Sequence, residues 1–533
     1  MTFVQTKHGM AVGPHPFSAE AGVEILRTGG NAVDAAVAAA FTEAVVQPAH
    51  NGVAGYGGCL VAWLAKENKA IAVDYNTRTP AAAHADMFPF TPTATGSFSV
   101  PKRIHAVGPL AIGVPAVVAG LCFTLDKFGT LGRKQIIAPA VRAARDGFPV
   151  NGMTAKLIVD HAAQFRTDFP ETARLLMPTG VPPSPQSILK NPETADLLEQ
   201  IADEGPDVFY RGKIAKHIVD YIRKQGGILS EDDLANYEPR QVEPVSANYR
   251  GLTCFTPPLG AGGLTCLQLL KLLERFPITD YGAISAELFH HFLEAIKVCW
   301  QERLTKYGDP NFIDIDQHVE LDNELITRLL DKVHAGLEKP QTGQIIAPDP
   351  MHCTSHLCTA DSRGNMVSLT QTHGAGFGSL LSVPGTGLIF GHGVSRLDPR
   401  PGWANSIAPG KAPLHNMCPF LALRNGKPFA IYGTPGGRTI VNNIPYFTLN
   451  MVDFGMTMLE AITAPRLHCE TAEPANLENA APDSVTENLR AKGHMIESIE
   501  RNGGPAHGIV VGTTRGQFDG ATDPRGEGKV TWA

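Results

Sequence analysis

The stretch Cys353-Thr-Ser-His-Leu-Cys-Thr-Ala-Asp-Ser-Arg-Gly-Asn-Met-Val-Ser-Leu-Thr-Gln-Thr372 alternates between apolar and polar residues on either side of Ser362-Arg-Gly-Asn365. A two-residue period is that of a strand, and a short polar connection containing glycine marks a hairpin. Two antiparallel strands are therefore expected here. Just upstream, residues 339–350 carry Pro and Gln and read as a linker. Downstream, residues 387–390, 417–423 and 429–432 are strand-like and 442–454 helix-like. The N-terminal side differs. Ser18 to Arg27 reads as a helix leaving at Gly29-Gly30, and Ala32 to Val46 is so apolar that a helix there must be buried on most sides. The glycine-rich loop 52–58 and the strand-like 59–64 follow. Further helices are expected over 116–128, 134–146, 197–201, 214–225, 264–275, 286–306 and 318–338, with a strand pair around Arg250-Gly251. Strands and helices come in runs rather than in strict alternation. That pattern argues for a layered α+β fold and against a doubly wound parallel sheet.

Composition narrows the function classes. The chain has 533 residues, 43% hydrophobic and 18% charged, which excludes disorder and collagen-like repeats. A net charge of −7 gives no overall electrostatic footprint for nucleic acid. Nine scattered cysteines without a C-x-x-C do not make a disulfide framework or a zinc site. There is no run of 18 apolar residues for a membrane span, and the N-terminus shows no basic segment followed by an apolar core, so a cytoplasmic location is expected. P-loop, G-x-G-x-x-G, H-E-x-x-H and G-x-S-x-G motifs are all missing. His290 and His291 are adjacent on an apolar helix and point different ways, so no metal site is expected from them. No cofactor is expected either.

Five motifs stand in order through the C-terminal third: Thr354-Ser-His, Asp361-Ser-Arg-Gly-Asn365, Pro384-Gly-Thr-Gly-Leu388, Ala408-Pro-Gly-Lys-Ala-Pro-Leu414 and Thr434-Pro-Gly-Gly437. With Gly29 to Ala36 and the Pro-Pro-x-x-x-Gly-Gly loop at 257–263, the chain resembles the γ-glutamyltranspeptidase family of N-terminal nucleophile hydrolases over nearly its whole length. The resemblance implies a four-layer αββα sandwich made from one precursor that cuts itself between Cys353 and Thr354. The products are a large chain, 1–353, and a small catalytic chain, 354–533. It further implies that Thr354 is the nucleophile, that Thr372 orients it, and that Gly436 and Gly437 offer backbone N–H groups to an oxyanion. The chemistry is coherent without the family. A threonine hydroxyl is inert at neutral pH without a base, and an α-amine with a pKa of about 7.7–8 is a suitable one. Before cleavage that nitrogen is an amide and cannot serve.

The family's amino-acid clamp is another matter. Its arginine position falls on Asn76, with Arg78 two residues on. Its asparagine falls on Gly374, its glutamine on Gly393, its aspartate on Arg396 and its two serines on His415-Asn416. An arginine repels a substrate ammonium that an aspartate would attract, and it suits a carboxylate instead. The alternative for Arg396 is an ion pair with Asp398 or another acid. The expected activity is thus hydrolysis of a small, carboxylate-bearing amide, oxamate-like or an acylamide, with Arg396, Arg78, His415 and Asn416 binding it. The rivals are a γ-glutamyl hydrolase or transferase with a rewired clamp, and a non-catalytic member used as a binding or scaffold protein. The expected partners are that substrate and the two chains of the precursor, with a homodimer of the processed pair as the candidate assembly.

Overall fold

The computed structural model describes residues 2–93, 98–340 and 353–533. The hairpin forms as the alternation predicts, with strands Cys353–Asp361 and Met366–Gly374 paired antiparallel. Its turn is locked by one side chain. The Asp361 carboxylate accepts from the N–H groups of Arg363 and Asn365 (2.9 and 3.0 Å) and from Asn365 Nδ2 at 2.7 Å. It also accepts from the N–H of Ala32 at 3.0 Å, the first residue of helix Ala32–Val46. The Asp-x-x-Gly-Asn pattern therefore closes the turn and satisfies a helix N-terminus whose N–H groups have no partner within the helix.

That hairpin is the centre of a seven-stranded antiparallel sheet. Its order is Lys529–Trp532, Gly9–Gly13, Cys353–Asp361, Met366–Gly374, Gly57–Leu64, Lys69–Tyr75, Arg240–Val242. A second seven-stranded sheet runs Val4–Gln5, Gln517–Thr522, His507–Val511, Lys427–Gly433, Phe420–Arg424, Leu252–Thr256, Val245–Tyr249. Side-chain alternation sorts each strand between two cores. Val61 and Trp63 meet Leu421, Ile431 and Ile509 in the core between the sheets. Leu60, Ala62 and Leu64 face the other way, against helices Ala32–Val46 and Val117–Phe128. On the far side Ala422, Ala430 and Tyr432 pack on helices Gly263–Leu273, Ala286–Lys306 and Thr439–Val452. The layers are helix, sheet, sheet, helix.

Every residue of helix Ala32–Val46 is buried, as its composition requires. Several boundaries differ from expectation. The helix expected over 197–201 runs Pro192–Glu204, because Asn191 caps it and Pro192 occupies its first turn. The helix expected from 318 begins at Asn323, capped by Asp322. Helix Gly152–Asp168, capped by Asn151, was not expected at all. Residues 341–350 of the linker reading lie outside the described residues.

Candidate active site

Thr354 lies at the end of the hairpin where the register slips. Cys353 is opposite Gly374 and Ser355 opposite Gln371, so Thr372 and His373 together face Thr354. Such bulges re-aim side chains. Here the two threonine hydroxyls come to 3.1 Å. Thr372 Oγ1 donates to the Cys353 carbonyl at 2.5 Å and accepts from the N–H of Gly374 at 2.7 Å. A hydroxyl has one proton and two acceptor sites. With that proton on Cys353, the Thr354 hydroxyl is the donor to Thr372. The bond joining Cys353 to Thr354 therefore has its carbonyl polarised by one threonine and the other threonine's oxygen beside it.

A narrow recess around Thr354 is lined by Tyr56, Thr372, Gly374, Arg396, His415, Asn416, Met417, Gly437 and Ile440. It adjoins a cavity of about 550 Å³ through Arg396 and Asn416, which line both. The cavity walls are largely apolar, with Phe98, Val100, Leu304 and Trp403, and carry Arg103, Arg303 and Arg438. Of the residues expected from the sequence, Thr354, Thr372, Gly437, Arg396, His415 and Asn416 meet in the recess. Gly436 adjoins it in sequence but does not line it, and Arg78 lines neither space. Asn76, next but one, is tied by Nδ2 to the Pro413 carbonyl at 2.8 Å.

The glycine pair has φ values of +133° and +59°, the region that favours glycine. Their N–H groups hydrogen-bond to no described residue, and helix Thr439–Val452 begins one residue later, after its N-cap Arg438. Arg396 Nη2 donates to the Gly374 carbonyl. Asp398 is taken by Arg400, at 2.9 Å to Nε and 2.6 Å to Nη2, rather than by Arg396. Burial pushes the His415 imidazole down to about 4, which favours the neutral ring at ordinary pH. The loop bearing His415 and Asn416 is pinned by the glycine-rich turn at 257–263. His415 N–H donates to the Gly260 carbonyl (2.9 Å) and Gly262 N–H to the Met417 carbonyl (3.0 Å). A Cβ on Gly262 would lie 2.6 Å from the Asn416 oxygen, so only glycine allows this approach.

Two further features escaped the sequence reading. Tyr56, from the 52–58 corner, enters the recess. Away from it, His290, Glu294 and His494 cluster in the interior. Lys297 sits among them, 2.6 Å from Glu294 and 2.9 Å from Glu473, and His494 Nδ1 is 2.7 Å from Glu473. An ammonium between two carboxylates supplies the positive charge there, which makes this a buried ion-pair network. The spacing of His290 and Glu294, four apart on a helix, was the available sign.

Residues 18–533 match the γ-glutamyltranspeptidase family. An acylase ACY 1 proenzyme of Pseudomonas sp. (strain SE83) is 34% identical over 98% of this chain and 92% of its own. A glutathione hydrolase proenzyme of Escherichia coli K12 is 30% identical over 99% of this chain and 92% of its own. Among solved structures, the cephalosporin acylase of Bacillus halodurans superposes with a TM-score of 0.89 at 27% identity, over 100% of this chain and 97% of that one. The chain belongs to the γ-glutamyltranspeptidase family, and with it to the N-terminal nucleophile amidohydrolases and γ-glutamyltransferase-like hydrolases. Among the described residues no helix is long and apolar enough to cross a membrane.

Proposed function

We propose that the chain cuts itself between Cys353 and Thr354 and then acts as an N-terminal-threonine amidohydrolase on a carboxylate-bearing amide. The observation that carries this is the pair of hydrogen bonds linking Thr354 to Thr372 and Thr372 to the Cys353 carbonyl. In maturation the Thr354 oxygen attacks that carbonyl, Thr372 stabilises the developing oxyanion, and the C–N bond breaks as nitrogen takes the proton. Water then hydrolyses the ester, leaving a carboxylate on chain 1–353 and a free α-amine on chain 354–533. In turnover the amine accepts the Thr354 proton as the hydroxyl attacks the substrate, and passes it to the leaving amine. The N–H groups of Gly436 and Gly437 hold the oxyanion. Loss of one such donor typically lowers the rate by about 10²–10³. Water releases the acyl group and restores Thr354.

Arg396 in the recess supports the carboxylate. The adjoining cavity of about 550 Å³ is of drug-ligand size, which favours an acylamide with a sizeable body over an oxamate-like compound. The glutathione hydrolase relative keeps the γ-glutamyl reading as the second candidate. Arg396 where the family has an aspartate counts against it. The test is amine release from matched carboxylate-bearing, esterified and γ-glutamyl anilides. Preference for the free acid without need of an α-ammonium supports the proposal. Strict dependence on an α-ammonium would return the enzyme to the γ-glutamyl class.

A further inference from the structure

Beneath the His415-Asn416 pair lies a guanidinium that the mechanism leaves unused. Arg303 is 1% exposed. Its Nη1 donates to the Ala261 carbonyl at 3.1 Å, and its Nη2 to the His415 carbonyl at 2.7 Å and Asn416 Oδ1 at 3.0 Å. Nε is buried without a hydrogen-bond partner, and none of the ion pairs among the described residues involves Arg303. Burial lowers its pKa to about 10, and it remains a cation at neutral pH. A guanidinium carries five donors and no acceptor. The Asn416 atom facing it must therefore be the oxygen, which turns the Asn416 NH₂ away from Arg303. That NH₂ donates to no described residue, and Asn416 lines both the Thr354 recess and the large cavity.

We propose that Arg303 is a positioning residue that sets specificity: it holds the Asn416 amide with its donors facing the cleft beside Arg396, so that the site accepts an acceptor-only anionic group. This rests on the carboxylate reading above and adds the residues that enforce it. A serine at 416, the residue type the family pattern has there, would instead present Arg303 with a hydroxyl that rotates freely between donor and acceptor. A buried cation lacking a protein counter-charge is costly. A carboxylate bound beyond the Asn416 amide would supply that charge, whereas an ester would not.

The test compares kcat and KM for an N-acyl p-nitroanilide bearing a free carboxylate with those for its methyl ester, using the processed enzyme. Asn416→Asp keeps the side-chain volume and gives Arg303 a partner, so its melting temperature should not fall. It removes the donor and adds negative charge, so the acid-to-ester ratio of kcat/KM should drop roughly tenfold or more, through KM for the acid. Arg303→Met should lower the ratio similarly. Arg303→Lys should restore part of it, because an ammonium lacks the planar fork. If the wild type prefers the acid and Arg396→Ala abolishes that preference while Asn416→Asp keeps it, the Arg303 proposal is overturned and the carboxylate reading survives. If the wild type shows no preference, both fall.

Discussion

Thr372 makes three hydrogen bonds through one oxygen, to Cys353, Gly374 and Thr354, and each constrains the other two. Thr372→Val keeps the shape and removes all three. The buried Gly374 N–H then loses its partner, at a cost of about 1–3 kcal/mol in stability. The larger effect should be kinetic, with slower chain cleavage and a lower kcat at little change in KM, measured by gel time course and initial rates. Unchanged cleavage and turnover would remove Thr372 from the mechanism. Thr354, Thr372 and Gly437 of the recess were legible at this scale because they stand in motifs that come in order. Arg303 was not legible. It stands between Glu302 and Lys306 near the end of helix Ala286–Lys306, where a cation reads as a surface residue, and only the fold shows it buried under the cleft. Arg78 was over-read: proximity in sequence to Asn76 did not carry its side chain to the recess.

Between elements, close backbone approach is the recurrent device. Gly433 ends strand Lys427–Gly433 under the His356 ring, where an added Cβ would lie 2.3 Å from it. His356 is fully buried between Thr370 Oγ1 at 2.8 Å and Cys358 Sγ at 3.3 Å, so it cannot yield. Gly433→Ala should cost about 1–3 kcal/mol by overpacking, read as a lower denaturant midpoint at constant slope. An unchanged midpoint would mean that the two sheets are looser here than the contact implies. The alternation around Ser362-Arg-Gly-Asn365 marked the hairpin, and a slip of one residue would exchange the side chains that face the two cores. Helix Thr439–Val452 was legible only from Asn442, because the glycines before it hide its start. Helix Gly152–Asp168 has a weak apolar stripe and therefore left little trace.

For the molecule as a whole, burial of neutral histidines contributes to the loss of stability in acid. His15, His50, His105, His290, His415 and His507 are pushed down to about 4 and His373 to about 3, chiefly by desolvation. Each has a folded pKa below its unfolded value near 6.5. The unfolded chain thus binds more protons in this window, and stability present above about pH 6.5 is lost as pH falls towards 4. Glu43 acts in the opposite sense. It is fully buried beside Ser355, and desolvation, only partly offset by that hydroxyl, raises it to about 8. Its contribution is full below pH 4.5 and is lost as pH rises towards 8. Melting temperature should therefore fall on the acid side, and Glu43→Gln should gain stability, relative to wild type, progressively from pH 5 to 8. A flat acid limb, or a Glu43→Gln difference that does not grow with pH, would contradict this. The layered α+β class was legible from runs of strands and helices, but the strand order was not. Strands at opposite ends of the chain, such as Gly9–Gly13 and Lys529–Trp532, pair with each other, and no local pattern marks such a partner. The central claim is the self-cleavage that frees Thr354, and intact-mass measurement with N-terminal sequencing of the purified protein tests it most directly. Wild type should give two chains, 1–353 and 354–533, the second beginning at Thr354, while Thr354→Ala stays whole. A fully active, uncut chain of 533 residues would contradict the account.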